Sequence, residues 1–259
     1  PDISYIKNTL EELKKYLRKY QTLSLESTTY PGTSREIILP YLKKFNVILA
    51  NPPYSIKSWN QKMFSIDPYG RNIWGTPPQG CADYAFQQHI QKSLNNENGR
   101  SCVLWPYGVL FRESEREMRK KMIENDLVEC VISLGKNLFY NSIMESCLLI
   151  TNNNKLERNK GKVLFIDARQ ELKREKTISY LLPEHISKIY SAYRDFKNIK
   201  KFSYVASIKE IIKKGATLNM SMYVNSTKDE IILNSSDAYE KWIKSNSILN
   251  DSITKVFIN

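Results

Sequence analysis

The stretch "FNVILANPPY", residues 45–54, carries an unbroken apolar run that stops against two consecutive prolines. A short, continuously apolar segment is the kind of strand that a parallel sheet buries on both faces. Proline holds φ near about −65° and has no amide hydrogen, so Pro52 and Pro53 cannot continue a strand ladder. The strand must end at Ala50 and pass directly into a stiff turn. In open α/β sheets ligands bind beyond the carboxyl ends of strands, which makes this turn the first place to look for a site.

Further strands are expected in "SCVLW", "LVECVISL", "SCLLIT" and "VLFIDA", and helical patterns separate several of them. One helix is expected over 82–94, with Ala82, Ala85, Phe86, His89, Ile90, Ser93 and Leu94 on a single face, which puts His89 in the core. Ser114 and Glu117 have capping-box spacing for a helix reaching about Asn125. Pro183 suits the first turn of another helix, "PEHISKIYSAYRDF". Residues 55–80 show no periodicity and read as a long loop. Strands alternating with helices predict an α/β fold with a mainly parallel sheet.

At either end lies an amphipathic pattern. Ile6, Leu10, Leu13, Leu17 and Tyr20 mark an N-terminal helix, and Ala238, Trp242, Leu249, Ile253 and Val256 mark a helical tail. The expected organisation is an N-terminal helix and linker over 1–30, a main domain over 31–224 and a helical tail over 225–259.

Composition excludes several classes. With 41% hydrophobic residues among 259, a sizeable core is available. No apolar run approaches the roughly 18–20 residues of a membrane span, and the start does not resemble a signal peptide, so the cytoplasm is the expected compartment. Cys81, Cys102, Cys130 and Cys147 are far apart, and the only histidines are His89 and His185, so no metal site is expected. The net charge of +12 is uneven: residues 155–214 hold 16 Lys and Arg against 7 Asp and Glu. A basic block of this kind suits phosphate contacts, with Lys197, Lys200 and Lys201 as candidates, although a lysine-rich solvated surface has the same composition.

The turn "NPPY" has a chemistry of its own. An Asn side-chain oxygen beside a rigid backbone carbonyl offers two acceptors to a planar amino group, and Tyr54 offers a flat face for a base. The amino nitrogen of adenine is a poor nucleophile because its lone pair is delocalised into the ring. Two acceptors on its hydrogens favour a pyramidal nitrogen whose lone pair can meet an incoming methyl group, by positioning and electrostatics rather than by a strong base.

"NPPYSIKSW", "YGRNIWGTPPQGCADYAFQQHI", "ENGRSCVLWPYGVLFRESEREMRKKMIENDLVECVISLGKNLFYNSIMESCLLI" and "GKVLFIDAR" resemble the modification subunit of type I restriction–modification systems. The resemblance runs from about Phe45 to Val224. It implies a Rossmann-like fold dependent on S-adenosylmethionine, and methylation of the 6-amino group of an adenine flipped out of double-stranded DNA. It also implies a specificity subunit that reads the DNA, with the helical tail as a contact for it, and a restriction subunit. Asn51 and Pro52 would hold the amino group, Pro53 would stiffen the turn, Tyr54 would stack on the base, and Phe139 would be a second aromatic contact.

One part of the family's pattern is missing from the sequence. Such enzymes hold the cofactor on a Gly-rich turn before the Asn-Pro-Pro block, yet Gly32 is the only glycine before Asn51 and the chain has no G-x-G. The chain therefore resembles the C-terminal part of a modification subunit. A complementary N-terminal fragment is an expected partner, and the cofactor-binding residues stay unassigned. Two other readings are a non-catalytic nucleic-acid-binding or assembly fragment, and a protein-glutamine or ribosomal-RNA amino-methyltransferase.

Overall fold

The computed structural model describes residues 45–139, 144–175 and 178–224, with the isolated positions 8, 9, 12 and 243. The chain divides into two units, Pro1–Val224 and Asn225–Asn259, and the elements below belong to the first. Most of the expected N-terminal helix and almost all of the expected tail helix lie outside the described residues.

Strand β1 (Val47–Ala50) leads into the proline turn and a loop holding a short helix, α1 (Gln61–Ile66). Helix α2 (Asp83–Ser93), strand β2 (Arg100–Pro106), helix α3 (Arg116–Glu124) and strands β3 (Val128–Leu134), β4 (Ser146–Asn152) and β5 (Lys162–Ala168) follow. A two-residue ladder of β6 (Lys173–Arg174) and β7 (Ser179–Tyr180) precedes α4 (Pro183–Asp195), β8 (Ser203–Ser207) and α5 (Ile208–Lys213).

The main sheet has the order β1-β2-β4-β3-β5-β8. β1 pairs parallel with β2, and β3 parallel with β5, while β4 runs antiparallel to β2 and β3 and β8 runs antiparallel to β5. Four of the six strands, β1, β2, β3 and β5, thus point one way, and the fold is α/β. Their carboxyl ends meet along one edge, where the turns after Ala50, Pro106, Leu134 and Ala168 open. The antiparallel strands β4 and β8 begin at that same edge.

Alternation along the strands divides the core between two faces. Val103, Trp105, Val163 and Phe165 pack on one face with Phe86 and Ile90 of α2 and Met118, Met122 and Ile123 of α3. Leu104, Leu164 and Ile166 pack on the other with Ala192 of α4 and Phe202. All seven residues of β3 are buried, as a central strand covered on both sides requires. His89 is buried on α2, as its helix face predicts.

Several expectations change. β1 is not buried on both faces: Val47 and Leu49 are exposed, because among the described residues nothing packs over them and β1 pairs only with β2. The 55–80 segment is not featureless. Asn60 caps α1 by accepting the Met63 amide at 3.1 Å, and Asp67, with φ of 35°, accepts the backbone amides of Arg71 and Asn72. Gln88 of α2 pins the same loop, accepting from Trp74 N at 2.6 Å and donating to Gly75 O at 2.9 Å. The Ser114–Glu117 capping box does not form. A 3₁₀ turn over Glu113–Glu115 precedes α3, whose start has no side-chain cap, and Glu115 turns inward to meet Arg112. β8 and α5, which periodicity does not announce, form behind a Ser207 cap that accepts the Glu210 amide at 3.1 Å. No described helix is long and apolar enough to cross a membrane.

Candidate active site

Asn51 and Tyr54 follow β1 at the carboxyl edge of the sheet, where the proline turn was expected to place them. Asn51 is exposed, and Pro52, Pro53 and Tyr54 are half-buried. The Tyr54 hydroxyl donates to Asn51 Oδ1 across 2.9 Å, which orients the Asn51 amide. Burial, with smaller contributions from Cys147 and Asp83, pushes the Tyr54 hydroxyl up to about 12. It therefore remains a protonated donor at neutral pH.

Phe139, in the turn after β3, is half-buried and packs against the core cluster to which Leu104, Ile132 and Leu134 belong. Tyr54 touches that cluster too, so both predicted aromatics rest on one apolar surface at the same edge of the sheet. The other face of Tyr54's surroundings belongs to the opposite cluster, which anchors the ring between the two halves of the core.

Lys197, Lys200 and Lys201 occupy the turn that enters β8, hence the same edge but at its far end. Five inter-strand spacings separate β1 from β8, about 24 Å in all. All three side chains are on exposed residues, and Lys197 already pairs with Asp195 at 3.1 Å.

A second cluster lies behind the proline turn, and spacing in the sequence did not reveal it. Ser55, with a left-handed φ of 47°, donates its amide to Asp83 Oδ1 at 2.6 Å. Arg112 reaches Asp83 Oδ2 at 2.6 Å, Cys81 Sγ at 2.8 Å, Glu115 Oε2 at 3.3 Å and Ser55 Oγ at 3.2 Å. The Asp83 and Glu115 side chains are fully buried. Burial raises Glu115 above the ordinary carboxylate range against the pull of Arg112, and burial beside Glu115 pushes the Cys81 thiol up to about 12. The donor atoms of Cys81, Asp83 and Glu115 lie within 4.8 Å of one another, a spacing that would suit a metal ion. Here the guanidinium of Arg112 supplies the positive charge. Removing a partner from a buried ion pair costs about 3–5 kcal/mol. The guanidinium lies beside Gly108, where a Cβ would sit 2.9 Å from Arg112 Nε.

The glycines directly after β2 and β3 do not form the Gly-rich turn that the expected cofactor would use. The glycines following strands at this edge are Gly108 and Gly135, and each is filled by the chain itself. Gly108 lies under Arg112, and a Cβ on Gly135 would fall 2.6 Å from Arg169 O. Neither leaves a cradle in which a nucleotide could approach the backbone.

The sheet order and the Asn-Pro-Pro-Tyr turn at its carboxyl edge place the molecule among α/β amino-methyltransferase-like folds. Residues 12–231 match the N-6 DNA methylase family, and the chain belongs to it. It is 32% identical over 204 residues to the type I restriction enzyme MjaVIII methylase subunit of Methanocaldococcus jannaschii, covering 76% of this chain and 35% of that protein. It is 32% identical to the HindI methylase subunit of Haemophilus influenzae, covering 73% of this chain and 43% of that one. Among solved structures, the type I methyltransferase subunit from Streptococcus thermophilus superposes with a TM-score of 0.65 at 34% identity, over 70% of this chain and 38% of that one. The EcoKI M protein shares the fold, with a TM-score of 0.53 at 16% identity, over 84% of this chain and 51% of that one. The chain spans between about a third and under a half of the length of these curated relatives.

Proposed function

We propose that this chain is the target-base part of an adenine-specific DNA methyltransferase of the type I restriction–modification kind. The observation that carries the reading is the Asn51–Tyr54 turn, held at the carboxyl edge of the sheet with Asn51 Oδ1 oriented by the Tyr54 hydroxyl. In this reading the adenine amino group donates to Asn51 Oδ1 and to the Pro52 carbonyl. An amide oxygen has two lone pairs, so Oδ1 can accept from Tyr54 and from the base together. The prolines keep the two acceptors fixed, so little reorganisation accompanies the reaction. Tyr54 and Phe139 provide aromatic surface for a base taken out of the duplex.

The family's methyl donor is S-adenosylmethionine. Gly108 and Gly135 offer it no cradle, and a complementary N-terminal fragment is the proposed source of its site. Double-stranded DNA is the proposed substrate, with a specificity subunit and a restriction subunit as partners. The basic turn at Lys197, Lys200 and Lys201 would follow the phosphates of a duplex laid along the edge. The deciding experiment is methyl transfer to adenine by the chain assembled with a specificity subunit and a cofactor-binding N-terminal fragment. Loss of transfer in Asn51→Ala with DNA binding retained supports the reading, and near-normal turnover defeats it. The filled glycines also favour a second reading, a non-catalytic binding or assembly fragment. That reading predicts DNA binding without methyl transfer in every assembly.

A further inference from the structure

Ser55 is the residue that turns the chain away from the Asn-Pro-Pro-Tyr segment, and it does so with a φ of 47°. A left-handed backbone is unfavourable for a side chain larger than glycine and persists where surrounding contacts impose it. Those contacts come from far along the chain. The Ser55 amide donates to Asp83 Oδ1 at 2.6 Å, and Ser55 Oγ accepts from Arg112 Nη2 at 3.2 Å.

Asp83 sits in the first turn of α2, where an exposed carboxylate would favour the helix at no desolvation cost. Instead its side chain is fully buried and reaches across to the turn. Arg112 lies on its other oxygen at 2.6 Å. The guanidinium lies over Gly108, where a Cβ would sit 2.9 Å from Arg112 Nε. Asp83 of α2 thus holds the Ser55 amide, and Arg112, in the chain after β2, holds both Asp83 and the Ser55 hydroxyl beside the base-binding segment.

We propose that Asp83 and Arg112 are positioning residues of the target-base turn, holding Ser55 left-handed so that Asn51 and Tyr54 stay aimed at one point. The proposal rests on the reading of that turn as an amino-group grip. Neither residue touches the base. They act through Ser55, and their loss loosens the acceptors without removing them.

The test uses the whole 259-residue chain and two single-stranded oligonucleotides. One carries a central adenine in a thymine tract. The other carries, at the same place, purine without the 6-amino group. The ratio of the two affinities isolates the grip on the amino group, because phosphate contacts and stacking are common to both. Asp83→Asn keeps the shape and removes the charge. Ser55→Pro removes the amide hydrogen and forbids a positive φ in a half-buried turn, should the first variant fail to fold.

Wild-type protein is expected to prefer adenine, and each folded variant to lose roughly tenfold of that preference. The Ser55 amide proton should exchange slowly in the wild type and faster by a similar factor in Asp83→Asn. A purely structural role would lower both affinities together and leave their ratio alone, which would overturn the proposal. A preference that survives both substitutions would also overturn it while leaving the grip standing. A wild type with no preference for adenine would remove the grip itself, and the positioning role with it.

Discussion

The hydroxyl of Tyr54 donates to Asn51 Oδ1 across 2.9 Å, joining the proposed stacking residue to the acceptor that the adenine amino group is proposed to use. The bond does two things. It keeps the oxygen of the Asn51 amide, rather than its nitrogen, available at the turn, and it ties the ring orientation to the acceptor. A substitution at either residue is therefore felt by the other.

For Asn51→Ala, methyl transfer by the assembled enzyme should fall by roughly 10²–10³, the usual effect of removing one preorganised polar group at a reacting centre. Affinity for DNA should change far less, since phosphate contacts supply most of it. Single-turnover rates and binding isotherms on the same preparation check both halves.

Tyr54→Phe would be nearly silent if stacking were the ring's only task. With the bond to Asn51, the loss of one hydrogen bond should cost about 0.5–1.5 kcal/mol in transfer. Tyr54→Ala should cost a further 1–3 kcal/mol or so in base capture. The two variants compared in one transfer assay separate orientation from stacking.

The same hydroxyl sets a pH limit. Its folded value of about 12 lies above the ordinary 10, mainly because of burial. A raised acid contributes stability that is fully present below pH 10 and disappears as pH rises toward 12. Tyrosinate absorbance recorded for wild type minus Tyr54→Phe should thus stay flat through pH 10 and rise only near 12. A rise centred at 10 would contradict the burial.

Neutralising Lys197, Lys200 and Lys201 together should weaken DNA binding by the assembled enzyme. It should also lower the slope of log affinity against log salt by as much as about 0.9 for each phosphate left without its lysine. Lys197 already pairs with Asp195 at 3.1 Å, so its share reads how far a phosphate displaces that carboxylate. An unchanged slope would leave these lysines as solvated surface.

Val47 and Leu49 lie exposed on β1, at the edge of the described sheet. A complementary fragment that supplies the cofactor site should cover them, so Leu49→Lys should reduce its association while leaving the central strands intact. Calorimetric titration of the chain alone with S-adenosylmethionine should show no binding, and addition of the fragment should restore it. Micromolar binding by the chain alone would locate the cofactor site within it.

Much of the architecture was legible because its causes are local. Alternation and apolar runs marked β2, β3, β4 and β5, Pro183 marked the start of α4, and the proline pair marked the end of β1 at Ala50. Each of these follows from side-chain period or proline stereochemistry within a few residues. β8 and α5 were not legible, because their short apolar segments gain their meaning only by pairing with β5 and packing under the sheet. For the site, the sequence determined the parts of the proposed grip: Asn51, two rigid prolines and an aromatic ring beyond a strand. Tertiary structure alone decided what steadies it. Asp83 and Arg112 lie 28 and 57 residues from Ser55, and no local pattern encodes a buried carboxylate that must find both a cation and a loop amide. That requirement is met only when β2 and α2 pack side by side, because burial makes each charge depend on the other and on the turn between them.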